Sequence, residues 1–161
     1  MRPLAEENRF HRLILKLVAL AGIYGFVFVN WIDLFNVTVP GYHIWLIFMF
    51  FFPFVSQVFM FGRKDIELVV SLGLLASLMN DLFYFVVGDL FFGFHVGLFD
   101  WYLHQLGFYG STVLYTFIGI GFTFPVTSWM MGLAIYGRII VVSLILNHYW
   151  KRKERQLNTN P

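Results

Sequence analysis

Carboxylates and imidazoles in the second half of the chain have the types and the spacing of metal ligands. Asp100 and His104 are four residues apart, so on a helix both side chains would lie on one face and could hold one ion. The chain has no cysteine, and imidazole with carboxylate favours Cu, Zn, Fe or Mn. Because such a site needs three or four ligands, the candidate set extends to His95, Asp89 and His43.

The spacing of Asp100 and His104 is similar to that of a ligand pair in the membrane subunit of copper-dependent methane and ammonia monooxygenases. That resemblance implies a copper site completed by a further histidine downstream. Here position 117 is Phe117, and the next histidine is His148, so the copper ligand set is incomplete and the resemblance is not adopted. The other interpretation is a polar cluster at a membrane interface that simply meets water.

A second pair of charges lies inside long apolar runs. Asp81 is 15 residues beyond Ile66, which is roughly 22 Å along a helix. Arg138 is 13 residues before Lys151, which is roughly 20 Å. An unpaired charge near the centre of a bilayer costs at least about 2.5–3.5 kcal/mol. The two depths match, so we predict an intramembrane ion pair, serving either as a structural contact or as a proton or ion relay.

Small residues indicate where helices approach each other closely. Ala21 and Gly25 are four residues apart in the first apolar run, a spacing that lets two backbones come together. In the third run, small and polar residues share one helical face: Gly73, Ser77, Asp81, Tyr84 and Gly88. We expect that face to lie inside a helical bundle.

The elements that would position these residues are apolar helices. The chain has 161 residues, of which 59% are hydrophobic and only 12% are charged, whereas a soluble domain is about 25% charged. Runs long enough to cross a bilayer cover residues 13–32, 44–62, 66–88 and 126–148. The fold class predicted is all-α: a polytopic integral membrane protein with a four-helix transmembrane bundle, forming a single membrane domain over residues 1–161.

The distribution of Lys and Arg predicts the topology. Cations cluster before the first run, in the turn at 63–64 and after the last run, and such clusters prefer the cytoplasm. Four crossings place all three clusters on that side, with the tails 1–12 and 149–161 cytoplasmic. Residues 89–125 then form an extracytoplasmic or re-entrant segment. Its apolar half, 106–124, is long enough to span, which leaves five crossings as the alternative.

No single activity follows from the sequence, including whether the chain is an enzyme. The first hypothesis is a small integral membrane subunit of a larger complex that carries the carboxylate–histidine metal site at the extracytoplasmic face. The alternatives are a non-catalytic scaffold or assembly subunit, and a small proton- or ion-coupled transporter or channel that uses Asp81 and Arg138. The expected partners are the lipid bilayer and other membrane subunits or further copies of the chain. The cations form no stripe interleaved with aromatics, so no nucleic-acid partner is expected.

Overall fold

The protein is a bundle of apolar helices. The structure, a computed structural model, describes residues 3–36, 42–61, 65–93, 113–118 and 123–159. Three helices are long and apolar enough to span a membrane: Phe10–Phe35, Ile66–Phe92 and Trp129–Gln156. A shorter apolar helix covers Trp45–Ser56. Helices of this length and composition indicate a multi-pass membrane protein.

The helices overlap the four predicted runs and most extend beyond them, although the last helix begins at Ser128 and not at residue 126. In chain order the elements are α1 (Pro3–Ile23), a π-helical turn (Tyr24–Val29), α2 (Asn30–Asn36), α3 (Tyr42–Phe61), α4 (Ile66–Phe92), β1 (Val113–Ile118), β2 (Thr123–Thr127) and α5 (Ser128–Thr159). The first three are continuous, so the chain remains helical through Asp33 to Asn36. α5 continues beyond residue 148 through a stretch rich in Lys, Arg and Glu, which are good helix formers.

α4 is the central helix of the bundle. It packs against α1, the π-helical turn, α2, α3 and α5. Its buried side chains include Leu72 and Ala76, both fully inaccessible. The helix ends at Gly93, whose φ of 64° lies in the left-handed region and whose N–H donates to the carbonyl of Gly88. A glycine is favoured there because a side chain would strain this backbone conformation.

Away from its charged end, the outer surface of the bundle is apolar rather than charged. Leu15, Phe28, Phe52 and Leu144 are each more than half exposed. A soluble protein rarely leaves so much contiguous apolar surface in water, whereas lipid tails solvate it without cost. The exposed side chains therefore agree with the apolar composition of the helices.

The π-helical turn lies directly against the backbone of α4. A Cβ atom at Gly25 would overlap the main-chain carbonyl of Ala76. Ala21, one turn earlier, is fully buried. The spacing of Ala21 and Gly25 thus marks a real close approach of two helices. At Gly73, on the polar face of α4, an added Cβ atom would instead overlap the ring of Phe51 from α3.

An antiparallel β-hairpin precedes α5. β1 pairs with β2 from Val113↔Thr127 to Ile118↔Thr123, with an irregularity between Val113 and Tyr115. The strands are rich in β-branched and aromatic residues, which favour extended backbone. This hairpin was not predicted, and its strands occupy much of the apolar stretch that a fifth transmembrane helix would have used.

The glycine contact gives a test of the helix packing. We expect Gly25→Ala to destabilise the bundle by about 1–3 kcal/mol, because the added methyl group must displace the backbone of α4. The matched control is Gly22→Ala on the same helix, where nothing lies within 4 Å of an added Cβ. Thermal unfolding of both purified variants in one detergent measures the difference. Equal melting temperatures for the two variants would contradict the packing.

Candidate functional site

The π-helical turn exposes backbone carbonyls that a polar side chain then satisfies. The backbone N–H of Asn30 donates to the carbonyl of Val27, one residue nearer than in a regular α-helix. The side-chain amide of Asn30 donates to the carbonyls of Phe26 at 2.9 Å and Gly25 at 3.3 Å. Buried carbonyls need such partners. Asn30 therefore stabilises the wide turn and is itself fixed in orientation.

Asn80 joins α4 to this turn. Its side-chain amide donates to Oδ1 of Asn30 at 2.8 Å and to Oδ2 of Asp33 at 3.1 Å. Asn30, Asp33 and Asn80 are only 0%, 7% and 1% exposed. Tyr84, one turn further along α4, lies close enough to Asp33 to interact electrostatically. Fully buried polar groups interact strongly because no water competes with them.

Asp81, the next residue of α4, faces the last helix. Its Oδ2 pairs with the Nη2 atom of Arg138, and the Nη1 atom of Arg138 donates to the hydroxyl of Ser77. The Nε atom of Arg138 donates to the carbonyl of Ala134 at 3.0 Å. The structure thus brings together the two residues that the depth argument paired. Their side chains are 18% exposed for Arg138 and 25% for Asp81.

These contacts lie at one level of α4, and we call the residues that make them the polar layer: Asn30, Asp33, Asn80, Asp81 and Arg138. Consecutive residues of an α-helix point about 100° apart. α4 therefore directs Asn80 towards α2 and Asp81 towards α5. One helix carries both halves of the layer on two adjacent residues.

The polar layer lies far from the charged end of the bundle. Asn80 is 15 residues beyond Asp65, and Arg138 is 15 residues before Lys153. Each separation is roughly 22 Å along a helix. Asp65 and Lys153 themselves form an ion pair at 2.8 Å, so both separations start from the same contact between α4 and α5. The layer is therefore separated from that end by most of the thickness of a bilayer core.

The charged end holds α4 and α5 together, and we call it the basic-end cluster: Asp65, Glu67, Tyr149, Arg152 and Lys153. Besides the Asp65–Lys153 pair, the hydroxyl of Tyr149 donates to Asp65 at 3.0 Å. Arg152 pairs with Glu67 at 2.9 Å. Arg152 and Lys153 also lie over the ring of Tyr149. Two of the cations used to predict topology are thus matched by acids.

The predicted metal ligands are only partly within the described structure. His95, Asp100 and His104 lie outside the described residues. Asp89 lies in the last turn of α4 and is partly buried. The backbone of His43 lies in the first turn of α3, and its side chain is outside the described part. Among the residues that the structure describes, no three His, Asp or Glu side chains are grouped as a metal site would require.

Two members of the polar layer, Asn30 and Asn80, were not predicted from the sequence. An asparagine inside an apolar run was the available signal, because an amide in lipid needs a partner. Asn30 and Asp33 are three residues apart and share a helical face. Asn80 directly precedes Asp81. Reading these amides as bundle-facing would have indicated the other half of the layer.

The chain matches no protein-family model, no curated protein and no solved structure. The chemistry of the site is therefore derived from the polar layer itself. That layer offers two carboxylates for protons or cations, one guanidinium that stays charged, and two amides that hold Asp33 and the π-helical turn in place.

The Asp81–Arg138 contact can be tested by a double-mutant cycle. We expect Arg138→Gln to cost about 2.5–3.5 kcal/mol, because it removes the cation beside a carboxylate in an apolar bundle. Asp81→Asn combined with Arg138→Gln should cost less than the sum of the single variants, since neither charge then remains. Unfolding in a denaturing detergent measures each term. The control is Lys151→Gln, an exposed cation on the same helix, for which little change is expected.

An Arg138→Gln protein as stable as the original, with Asp81 unchanged, would count against the pair. Strict additivity of the two single variants would count against it as well.

Proposed function

We propose that the protein is a small proton- or ion-coupled membrane transporter or channel whose working element is the polar layer. The observation that carries this proposal is that two adjacent residues of α4 contact ionisable groups of two other helices: Asn80 binds the carboxylate of Asp33, and Asp81 pairs with Arg138. Ionisable groups inside apolar helices are costly, and they commonly mark proton or ion pathways.

The chemistry proposed is reversible protonation of carboxylates. Asp81 accepts a proton when its contact with Arg138 loosens, and it releases the proton when the ion pair re-forms. Arg138 does not itself lose a proton, since guanidinium remains charged in proteins. It acts by competing with the proton for the carboxylate of Asp81. Asp33, linked to Asn80 on the neighbouring face of α4, provides the second acceptor.

The exposures within the layer support a direction of access. Asp81 and Arg138 are partly exposed, whereas Asn30, Asp33 and Asn80 are buried. A relay needs one group that is accessible at the surface of the bundle and another that is shielded inside it, because an open row of carboxylates would leak. The layer combines both kinds of group on two consecutive residues of α4.

The proposed topology has four crossings, with both ends of the chain on the cytoplasmic side. The packing of α1 against α5 supports an even number, because the ring of His11 stacks on that of Trp150. Those residues lie near opposite ends of the sequence and at one end of the bundle. α3, with 20 residues, provides the fourth crossing. The many cations at that end support its cytoplasmic placement.

The proposed assembly is a homo-oligomer or a complex with other membrane subunits. Four helices around a packed core leave little room for a conducting path. α3 and α5 both present exposed apolar side chains, among them Trp45, Phe52 and Leu133. In a bilayer such faces contact lipid or another subunit equally well.

Proton flux in reconstituted vesicles tests the transport proposal. We expect vesicles that contain the protein to dissipate an imposed pH gradient faster than protein-free vesicles. Asp81→Asn and Asp33→Asn should each return the rate to that of protein-free vesicles, because an amide cannot carry a proton between carboxylates. The matched control is Glu67→Gln, a carboxylate on α4 that lies in the basic-end cluster, which should retain the flux.

Wild-type vesicles that behave like protein-free vesicles would exclude proton transport by this chain alone. Full flux with Asp81→Asn would exclude Asp81 from the pathway.

A metal-carrying subunit of a larger membrane complex is the second candidate function. Its support is positional: Asp89 near the end of α4 and the backbone of His43 near the start of α3 lie at the same end of the bundle, since α3 and α4 are antiparallel neighbours. The segment that carries His95, Asp100 and His104 follows α4 directly in sequence.

Elemental analysis of the purified protein should then show a transition metal that is lost in Asp100→Ala and His104→Ala. A metal content unchanged by both substitutions would exclude the site.

A further inference from the structure

The start of α1 and the end of α5 are fixed against each other by ring contacts between two residues of each helix. The ring of His11 stacks on that of Trp150, with centroids 4.0 Å apart. The preceding residues, Phe10 and Tyr149, also meet, with centroids 6.3 Å apart. Two consecutive residues of each helix therefore determine which faces of the antiparallel helices meet.

This contact determines where the following residues point. Each residue of an α-helix is rotated by about 100° from the one before. In two antiparallel helices, the residues that follow a contact pair project to one side of the line along which the helices meet. The residues that precede the pair project to the other side. Tyr149 lies on the inner side, because its hydroxyl donates to Asp65 at the start of α4. Arg12 and Lys151 therefore project from the outer side.

Two more cations extend the same faces. Lys16 and Arg155 lie four residues beyond Arg12 and Lys151, so each shares a face with the earlier cation. All four residues are exposed. The Nε atom of Arg155 donates to the carbonyl of Lys151 at 3.2 Å, which holds its side chain along this face. We call these four residues the basic seam: Arg12, Lys16, Lys151 and Arg155.

Three acids with described side chains at this end of the bundle, Asp65, Glu67 and Glu154, make contacts with other residues. Asp65 and Glu67 pair with Lys153 and Arg152 on the inner side. Glu154 accepts a hydrogen bond from the indole of Trp150 at 2.6 Å. The basic seam therefore presents a positive surface on the outside of the bundle.

Apolar side chains continue the basic seam along the length of the helices. Leu20 lies four residues beyond Lys16, and Leu144 lies seven residues before Lys151, so both share the face of the seam. Leu20 is 57% exposed and Leu144 is 62% exposed. The outer surface is thus cationic at the end of the bundle and apolar towards the middle of α1 and α5. A phospholipid has the same order of groups, with a charged phosphate followed by acyl chains.

We propose that the basic seam binds the phosphate-bearing headgroup of an anionic phospholipid, with the acyl chains lying along Leu20 and Leu144. Cations at the ends of membrane helices attract acidic headgroups, and four of them converge on one seam between two helices. The apolar continuation favours a lipid over a soluble phosphate, which would use only the cations. This binding does not depend on the proposed transport activity.

Competition between lipids tests the proposal. The full-length protein, purified in neutral detergent, is mixed with equal amounts of phosphatidylglycerol and phosphatidylcholine that carry the same acyl chains. Native mass spectrometry counts the lipids retained. We expect phosphatidylglycerol to be retained in preference. The variant R12Q/K16Q/K151Q should lose affinity for phosphatidylglycerol by roughly fivefold for each cation removed, and its retention of phosphatidylcholine should not change.

The matched control is R12K/K16R/K151R, which keeps every charge and should keep the preference for phosphatidylglycerol. Equal retention of both lipids by the wild-type protein would overturn the proposal, and this comparison needs no variant to fold. An unchanged preference in R12Q/K16Q/K151Q would also overturn it. Displacement of phosphatidylglycerol by an equal concentration of inorganic phosphate would show a site for a soluble anion instead of a lipid.

Discussion

The structure depends on one constraint: a polar group placed among apolar helices must find its partner inside the protein. α4 meets this constraint twice at neighbouring positions, because Asn80 is held by Asn30 and Asp33 while Asp81 is held by Arg138. These contacts fix the rotation of α4 about its own axis with respect to both neighbours. Apolar packing alone tolerates small rotations, since one leucine contact can replace another. The hydrogen bonds of the polar layer do not tolerate them, so the layer gives the bundle a defined register.

The π-helical turn belongs to the same arrangement. Gly25 brings this turn against the carbonyl of Ala76, one turn before Asn80 on α4. At that separation the amide of Asn80 reaches Asn30 directly. The side chain of Asn30 in turn satisfies the carbonyls that the turn exposes. Wide turns of this type occur frequently at functional sites, and here the irregular backbone and the buried polar side chains stabilise each other.

Much of the helical architecture, and one half of the site, could be predicted from the sequence. Lengths of apolar runs indicated the helices, and the constant rise of a helix matched the depths of Asp81 and Arg138. The rotation of one helix relative to another could not be predicted, because it depends on packing between residues far apart in sequence. Gly73 and Asp81 share a face of α4 as expected, yet Gly73 meets Phe51 of α3 and Asp81 meets α5. The hairpin was missed because its apolar residues also suit a membrane helix.

The two ends of α4 differ in a way that bears on how a proton could produce movement. At the basic-end cluster, Asp65 and Glu67 tie α4 to α5 through two ion pairs. In the polar layer, α5 is held to α4 through Arg138, whereas α2 is held through the amide of Asn80. Protonation of Asp81 weakens the attraction to Arg138 and leaves the hydrogen bonds of Asn80 intact, because an amide does not titrate. In the proposed relay, proton uptake therefore weakens the contact between α4 and α5 in the polar layer, while the basic-end cluster and the contact between α4 and the π-helical turn keep their partners.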